Sequence, residues 1–471
     1  MRTLKGFVYQ TLLLLTFFLT AQDAFAGRFV ASPPDAIRDR WLVMLEDSTE
    51  LPAAPGLLRP VGKVAEELLA PFPGKRPLQV FEHAARGFSV ELTPQAARAL
   101  SRMPGVALVE QDRLVQVQAP ACPNVLYTPP STFPTSPQSI SCPVFYADNG
   151  CNDNWGLDRI DQQNQPLNGL FSFGANTGAG VHMYFLDTGL DYAGSEFKNA
   201  QGVSRVGTSI NFGGDGTSSS NPYATNVSPT NYYDAYGHGT HVAAIAAGLR
   251  YGVAKGATIH AVRITNNAAA SSTTLIMQGV DWIAQNHVKP AVVNISLNFK
   301  VAIQEASSLN FMETSFRNLI NWYGVTVVNS AGNFNQDAYD FSPSRLSELI
   351  VVGASDYYDG RWQEAPAFQP CNIRPDPYSQ CGSNFGTSVD LWAPGAFITS
   401  AWPGGGICRQ TGTSMAAPLA AGVVATYLQT HPTALPAAVA TALINNASSN
   451  VLNGSTLGSA GTPNRLLRTF P

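Results

Sequence analysis

Two rhythms of apolar residues divide this chain. From Asp35 to about Gln118 the apolar positions fall in short sets of changing period. Trp41-Leu-Val-Met-Leu45 reads as a strand, Val61–Ala70 has helical spacing, and Gly87-Phe-Ser-Val-Glu-Leu92 alternates as a strand. Thr93 and Pro94 then supply the cap and first residue of a helix reaching Arg102, and Val106–Asp112 closes as a strand. That order predicts a small α+β sandwich built from two β-α-β halves. From Trp155 onward the strands are apolar throughout: Val181–Leu186, Thr258–Ile264, Ala291–Leu297, Val325–Ser330 and Leu349–Ala354. Helical segments follow His238 and Ser414 and cover Thr273–Gln285 and Glu305–Trp322. Unbroken apolar strands alternating with helices predict a parallel sheet covered on both faces, an α/β fold.

The two ends of the first rhythm add compartment and covalent chemistry. Met1 to Ala26 has Arg2 and Lys5, then the apolar core Thr11–Leu19, then Ala24-Phe-Ala26 as a small-x-small cleavage site. This predicts a signal peptide, an exported chain, and no membrane association once the leader is removed. Residues 119–154 are rich in Pro, Ser and Thr and carry Cys122, Cys142 and Cys151. The remaining cysteines are Cys371, Cys381 and Cys408. Six cysteines in an exported chain favour disulfides whose pairing the sequence leaves open, a local Cys371–Cys381 closure being the cheapest. Cys408, without an activating neighbour, reads as structural. The chain is thereby parsed as 1–26, 27–118, 119–154 and 155–471.

Composition narrows the partners. With 471 residues, 45% of them hydrophobic, the chain can bury one large and one small core. Charged residues are 13% and formal net charge is -4, so no basic stripe argues for nucleic acid.

The candidate chemistry lies at three loop-to-element junctions. Gly412-Thr-Ser-Met-Ala-Ala-Pro418 runs into an apolar helix and places Ser414 among free amides at its start, a setting that stabilises an oxyanion; Pro418 is tolerable if it falls within the helix start. Val181–Gly189 reads as a buried strand that delivers Asp187 at its carboxyl end. Gly237-His-Gly-Thr-His-Val-Ala243 carries His238 into a small-residue helix. Asp, His and Ser in that order suit a nucleophile (Ser414), its base (His238), and a carboxylate that orients the base (Asp187). His241, three residues after His238, has a spacing that can serve a metal, but no third ligand is close in sequence, so packing in the helix start is its better reading.

Together with Trp155-Gly-Leu-Asp-Arg-Ile-Asp-Gln162, Tyr251-Gly-Val-Ala-Lys255, Ser330-Ala-Gly-Asn333, Val389-Asp-Leu-Trp-Ala-Pro-Gly395 and Gly461-Thr-Pro-Asn-Arg-Leu-Leu467, these motifs make the chain resemble the subtilisin-type serine proteases, and among them the proteinase K branch. The resemblance runs from about Trp155 to the end. It implies a subtilisin-like α/β domain that hydrolyses peptide bonds through an acyl-enzyme. Polypeptides would be the substrates, and a monomer without organic cofactor is expected. Arg86-Gly-Phe-Ser and Pro104–Asp112 resemble the family's ferredoxin-like inhibitory propeptide, a folding helper cut off by the enzyme itself. The mature chain would then begin near Gln118 or close to Trp155.

By the same resemblance Asn333 donates to the oxyanion beside the backbone N–H of Ser414. Ser296, Leu297 and Asn298, with Ser330, Ala331 and Gly332, would bind the substrate as an added strand. Asp390, with backbone carbonyls near Ser347 and Leu349, would hold a structural calcium ion. The chain departs from the family pattern at Asn298 and Phe299, where glycines are usual, at Ser330 in place of Ala, and at Ala244 in place of Gly. Asn226, Asn446 and Asn453 lie in glycosylation sequons; Asn294 does too, but on a strand read as buried.

Overall fold

The computed structural model describes residues 27–31, 33, 35–46, 58–117, 139–141, 155–213, 232–301, 310–363 and 382–471. The expected leader, nearly all of 119–154 with its three cysteines, Asn226, Cys371 and Cys381 lie outside the described residues.

The N-terminal unit contains β1 (Arg28–Val30), β2 (Ala36–Leu45), α1 (Val61–Leu69), β3 (Pro77–Phe81), β4 (Gly87–Glu91), α2 (Pro94–Leu100) and β5 (Val106–Gln116), with strand order β1-β5-β2-β4-β3. Without β1 this is the β-α-β-β-α-β ferredoxin-like arrangement. Thr93 caps α2 as expected, its hydroxyl accepting from Ala96 N at 3.3 Å. Sequence reasoning passed over β1 and β3. The first is three residues long. The second begins with proline on the sheet edge and exposes its apolar Leu78 (39%) and Val80 (36%), so alternation points the wrong way. Strand β2 is buried on both faces. Trp41, Val43 and Leu45 pack on α1 and α2, whereas Leu42 and Met44 belong to the core of the following domain.

That domain is built on a sheet of nine strands among the described residues. Its central run is β6 (His182–Asp187), β7 (Thr258–Arg263), β9 (Ala291–Ile295), β10 (Thr326–Ser330), β11 (Ile350–Ser355) and β12 (Leu391–Pro394), all parallel, in the order β12-β11-β10-β9-β6-β7. Ile210–Asn211 extends it beyond β7 and Arg465–Leu466 beyond β12; antiparallel pairing enters this sheet at its edge, at Ser448–Ser449. A short strand, β8 (Ala270–Ser272), leads into α4 outside this sheet. Helices α3 (His238–Ala247) and α6 (Thr413–Thr430) share one core with Met183, Phe185 and Val328. On the other face α4 (Thr273–Asn286) and α5 (Phe311–Asn321) pack with Tyr184, Leu186 and Val327. Successive strand residues thus serve opposite cores, which is why these strands read as unbroken apolar runs. After β7 the chain crosses back and builds the rest of the sheet on the far side of β6. Strand order therefore reverses at β6, the position where open α/β sheets bind ligands at their carboxyl edge.

Two helix starts differ from expectation. Helix α5 begins at Phe311, because Asn310 forms a capping box with Glu313: its side chain accepts from Glu313 N at 2.8 Å, and Glu313 accepts from Asn310 N at 3.2 Å. Helix α6 begins at Thr413, so Pro418 is its sixth residue, past the first turn. Its missing amide leaves the Ser414 carbonyl without the usual i+4 donor.

The N-terminal unit docks on α4 and α5 through buried carboxylates. Asp112 accepts from Thr273 Oγ1 (2.5 Å), Thr274 N (3.0 Å) and Thr274 Oγ1 (2.8 Å), and Glu110 accepts from Phe311 N (3.0 Å). Each caps the first amides of a helix that belongs to the other unit. In return Asp281 of α4 accepts from the backbone amides of Glu82, His83 and Ala84 at 3.3, 2.7 and 2.8 Å. Burial raises the pKa of Asp112 and of Asp281, and these hydrogen bonds oppose that rise. The end of β5 then pairs antiparallel with β8, Leu114 opposite Ser272 and Gln116 opposite Ala270.

Candidate active site

Asp187 ends β6 and His238 opens α3. The His238 Nδ1–H donates to Asp187 Oδ1 at 2.7 Å, and both residues are buried, at 0% and 1% exposure. A carboxylate can only accept, so the proton sits on Nδ1 and the lone pair on Nε2. Among the described residues Nε2 is buried without a hydrogen-bond partner. That is the state a general base requires.

The pair is held by groups that sequence reasoning missed. Asp234, fully buried, accepts through Oδ1 from Gly237 N (2.7 Å), Tyr236 N (3.1 Å) and Thr188 Oγ1 (2.8 Å), and through Oδ2 from Thr240 N and Thr240 Oγ1 (both 2.8 Å). Thr188 Oγ1 in turn accepts from Gly239 N at 2.8 Å, while Thr188 N donates to Asp187 Oδ1 at 2.7 Å. One buried carboxylate thereby ties the end of β6 to the start of α3. Asp234 lies three residues before the helix cap Gly237, a position that no spacing rule marks. Gly237 has φ of +108°, and a Cβ there would lie 2.2 Å from the Trp402 indole, so no other residue fits before His238.

His241 does not join this group. Its Nε2–H donates to the Cys408 carbonyl at 2.9 Å, and burial pushes its pKa down to about 3. It is a neutral packing residue, as expected. Cys408 is disulfide-bonded. No cluster of three or more His, Cys, Asp or Glu side chains converges on a metal position among the described residues.

Ser414, buried, is the second residue of α6. Asn333 lies just beyond β10 at the same sheet edge. Its Oδ1 accepts from Thr413 N (2.9 Å) and Thr413 Oγ1 (2.8 Å). Those bonds fix the orientation of the amide and leave the Nδ2 donors on the side away from Thr413. The turn carrying Asn333 is anchored by Asn384, which donates to Ala331 O (2.9 Å) and accepts from Phe334 N (3.0 Å). Asn333, Thr413 and Ser414 line one pocket with Ser296, Leu297, Asn298, Ser330, Gly332 and Gln116, the last residue of β5. No hydrogen bond joins Ser414 Oγ to His238 among the described residues. Such bonds commonly tighten only with substrate.

Of the remaining expected residues, Ala331 is buried next to the pocket and Phe299 turns away from it. The Phe299 ring lies under the Arg113 guanidinium of β5, 4.5 Å from centroid to Cζ. Asn294 is buried on β9, as read. Asp390 accepts from Val351 N at 2.8 Å, and burial raises its pKa to about 6. Val351 N and the nearby Arg465 oppose that rise, and the carboxylate is an oxygen donor of the kind a hard cation uses.

Comparison with known proteins accords with this geometry. Residues 178–467 match the Subtilase family and residues 64–118 the Peptidase inhibitor I9 family. The chain is 36% identical over 453 residues to an extracellular serine proteinase of Thermus sp. (strain Rt41A), covering 93% of this chain and 90% of that one. It is 30% identical over 449 residues to alkaline serine exoprotease A of Vibrio alginolyticus, covering 95% and 70%. The crystal structure of a cold adapted subtilisin-like serine proteinase superposes with a TM-score of 0.55 at 34% identity, over 68% of this chain and 100% of that one. The chain belongs to the subtilase family of serine proteinases, with a peptidase inhibitor I9 segment ahead of the proteinase domain.

Proposed function

We propose that this protein is an exported endopeptidase of the proteinase K-like branch that works through Ser414, His238 and Asp187 and matures by cutting its own chain. The observation that carries the reading is the buried His238–Asp187 hydrogen bond with Nε2 left free at the sheet edge that also holds Ser414 and Asn333. Ser414 Oγ attacks the scissile carbonyl carbon and passes its proton to His238 Nε2. The oxyanion that forms accepts from Asn333 Nδ2 and the Ser414 amide. The His238 imidazolium then protonates the leaving amine, releasing the first product and an ester on Ser414. Water, deprotonated by His238, hydrolyses that ester. Asp187 keeps the required tautomer and stabilises the imidazolium throughout.

Export is supported by the sequence of Met1–Ala26 and by the relatives' names; among the described residues no helix is long and apolar enough to cross a membrane. Self-inhibition is supported by Gln116, which lies in the pocket of Ser414 while β5 pairs with β8. That position favours a cut near Gln118, the first peptide bonds beyond the docked strand, over one near Trp155. Asp390, with carbonyls near Ser347 and Leu349, would hold calcium in a purely structural role.

Three outcomes are expected. Intact mass of the secreted protein shows loss of the N-terminal unit in wild type and its retention in Ser414→Ala; identical processing of both would remove self-cleavage from the account. Asn333→Asp keeps an acceptor for Thr413 but loses the donor. It should lower kcat on a peptide substrate by about 10²–10³-fold with the melting temperature near wild type; a change confined to KM would contradict the assigned role. A calcium chelator should lower the melting temperature of wild type and leave that of Asp390→Ala unchanged; equal shifts in both proteins would place the ion elsewhere.

A further inference from the structure

Asn298 stands in the pocket wall beside Ser414, 8% exposed, on the segment that leaves β9. Its carboxamide reaches across the pocket to the opposite wall. Nδ2 donates to Ser330 O at 2.8 Å and to Ser330 Oγ at 3.1 Å. Oδ1 accepts from Asn329 Nδ2 at 3.2 Å and from the Ser344 hydroxyl. Both amide hydrogens therefore have acceptors and Oδ1 has a donor in Asn329, while the single Ser344 hydroxyl hydrogen is shared between Asn298 Oδ1 and Ser330 O. All three partners are buried, and Asn329 Nδ2 also donates to Ser344 Oγ at 3.0 Å. If Asn298 swung aside, donors and acceptors would be stranded where water does not replace them. The side chain is a fixed strut between the two walls, whereas Leu297 beside it has no polar tether.

The strut lies where substrate must go. On the proteinase reading, the scissile carbonyl carbon sits at Ser414 Oγ and its oxygen at Asn333, and both residues line this pocket. The side chain of the residue that supplies the carbonyl, one bond away, is within reach of the same walls. Asn298 and Ser330 both line this pocket and are joined by the carboxamide, so the space beside Ser414 is a slot along a fixed amide.

We propose that Asn298 determines specificity by narrowing this slot, so that the protein cuts after narrow, unbranched side chains such as Ala and Gln and rejects aromatic rings. A linear chain can lie along the carboxamide. A ring entering between the walls meets it and cannot displace it without breaking the Asn329 and Ser344 bonds. The inference rests on the proteinase reading and adds a substrate class to it.

The test is kcat/KM on peptide p-nitroanilides that differ only in the residue before the cleaved bond: Ala, Gln or Phe. Wild type is expected to favour Ala and Gln over Phe by at least about tenfold. Asn298→Gly should raise the Phe/Ala ratio at least about tenfold, and Ser344→Ala, which removes one anchor, should raise it less. The ratio is taken on one enzyme, so a general loss of stability cancels. Should Asn298→Gly fail to fold, the wild-type ratio and Ser344→Ala decide. Wild type that cleaves Phe as well as Ala, or variants with the wild-type ratio, would overturn the inference and leave the proteinase reading intact. Wild type that cleaves none of the series would overturn that reading, and this inference with it.

Discussion

A carboxylate and an imidazole taken out of water and held 2.7 Å apart are the constraint on which this structure depends. Burying Asp187 is costly unless its charge is met by hydrogen bonds in fixed directions. The fold meets it at one oxygen: the Thr188 amide and the His238 ring both donate to Oδ1, while Oδ2 is buried without a hydrogen-bond partner among the described residues. Neither donor would stay in place on a free loop. Asp234 removes that freedom: its five hydrogen bonds bind the loop before α3 to the residue after Asp187. The reacting edge of the domain is thus built as a chain of buried carboxylates and amides. The parallel sheet supplies the platform, because its strand order reverses at β6 and opens the carboxyl edge there.

The same chemistry joins the two units. Asp112 and Glu110 sit on the first amides of α4 and α5, and Asp281 sits on three amides of the N-terminal unit. Helix starts have unpaired donors, and a separate module that brings acceptors to them completes both partners at once. Docking in this way commits β5 to a path along β8 that ends in the pocket of Ser414. The proposed inhibition rests on that geometry: Glu110 and Asp112, which seat the unit, and Gln116, which reaches the pocket, lie on the same strand. Where the last strand residues lie, substrate would lie, and the proposed role of Asn298 concerns the next subsite along that path.

Much of this was legible in the residues, for physical reasons that also explain the failures. Strands buried on both faces leave an unbroken apolar run, so β6, β9, β10 and β11 stood out, and Asp187 with them. Chain order and glycine-rich entries exposed His238 and Ser414. Edge strands buried on one side give a weaker signal, and β3, with Leu78 and Val80 outward, gives a misleading one. The start of α5 was set by the Asn310–Glu313 capping box, a two-residue match that periodicity does not register. Asp234 was hidden because its work is done by three-dimensional convergence on loop amides, which no spacing rule encodes. Asn298 was noticed as bulk in place of glycine. Its direction, across the pocket toward Ser330 and Ser344, depends on partners some 30 to 46 residues away in sequence.

The central claim is that His238, oriented by Asp187, activates Ser414. A sulfonyl fluoride that forms a bond to an activated serine oxygen with loss of fluoride tests it most directly. The account predicts a single adduct on the purified protein, mapped by peptide mass to Ser414, and none on His238→Ala. Labelling of Ser414 at the same rate in His238→Ala, or an adduct on another residue with Ser414 unmodified, would contradict it.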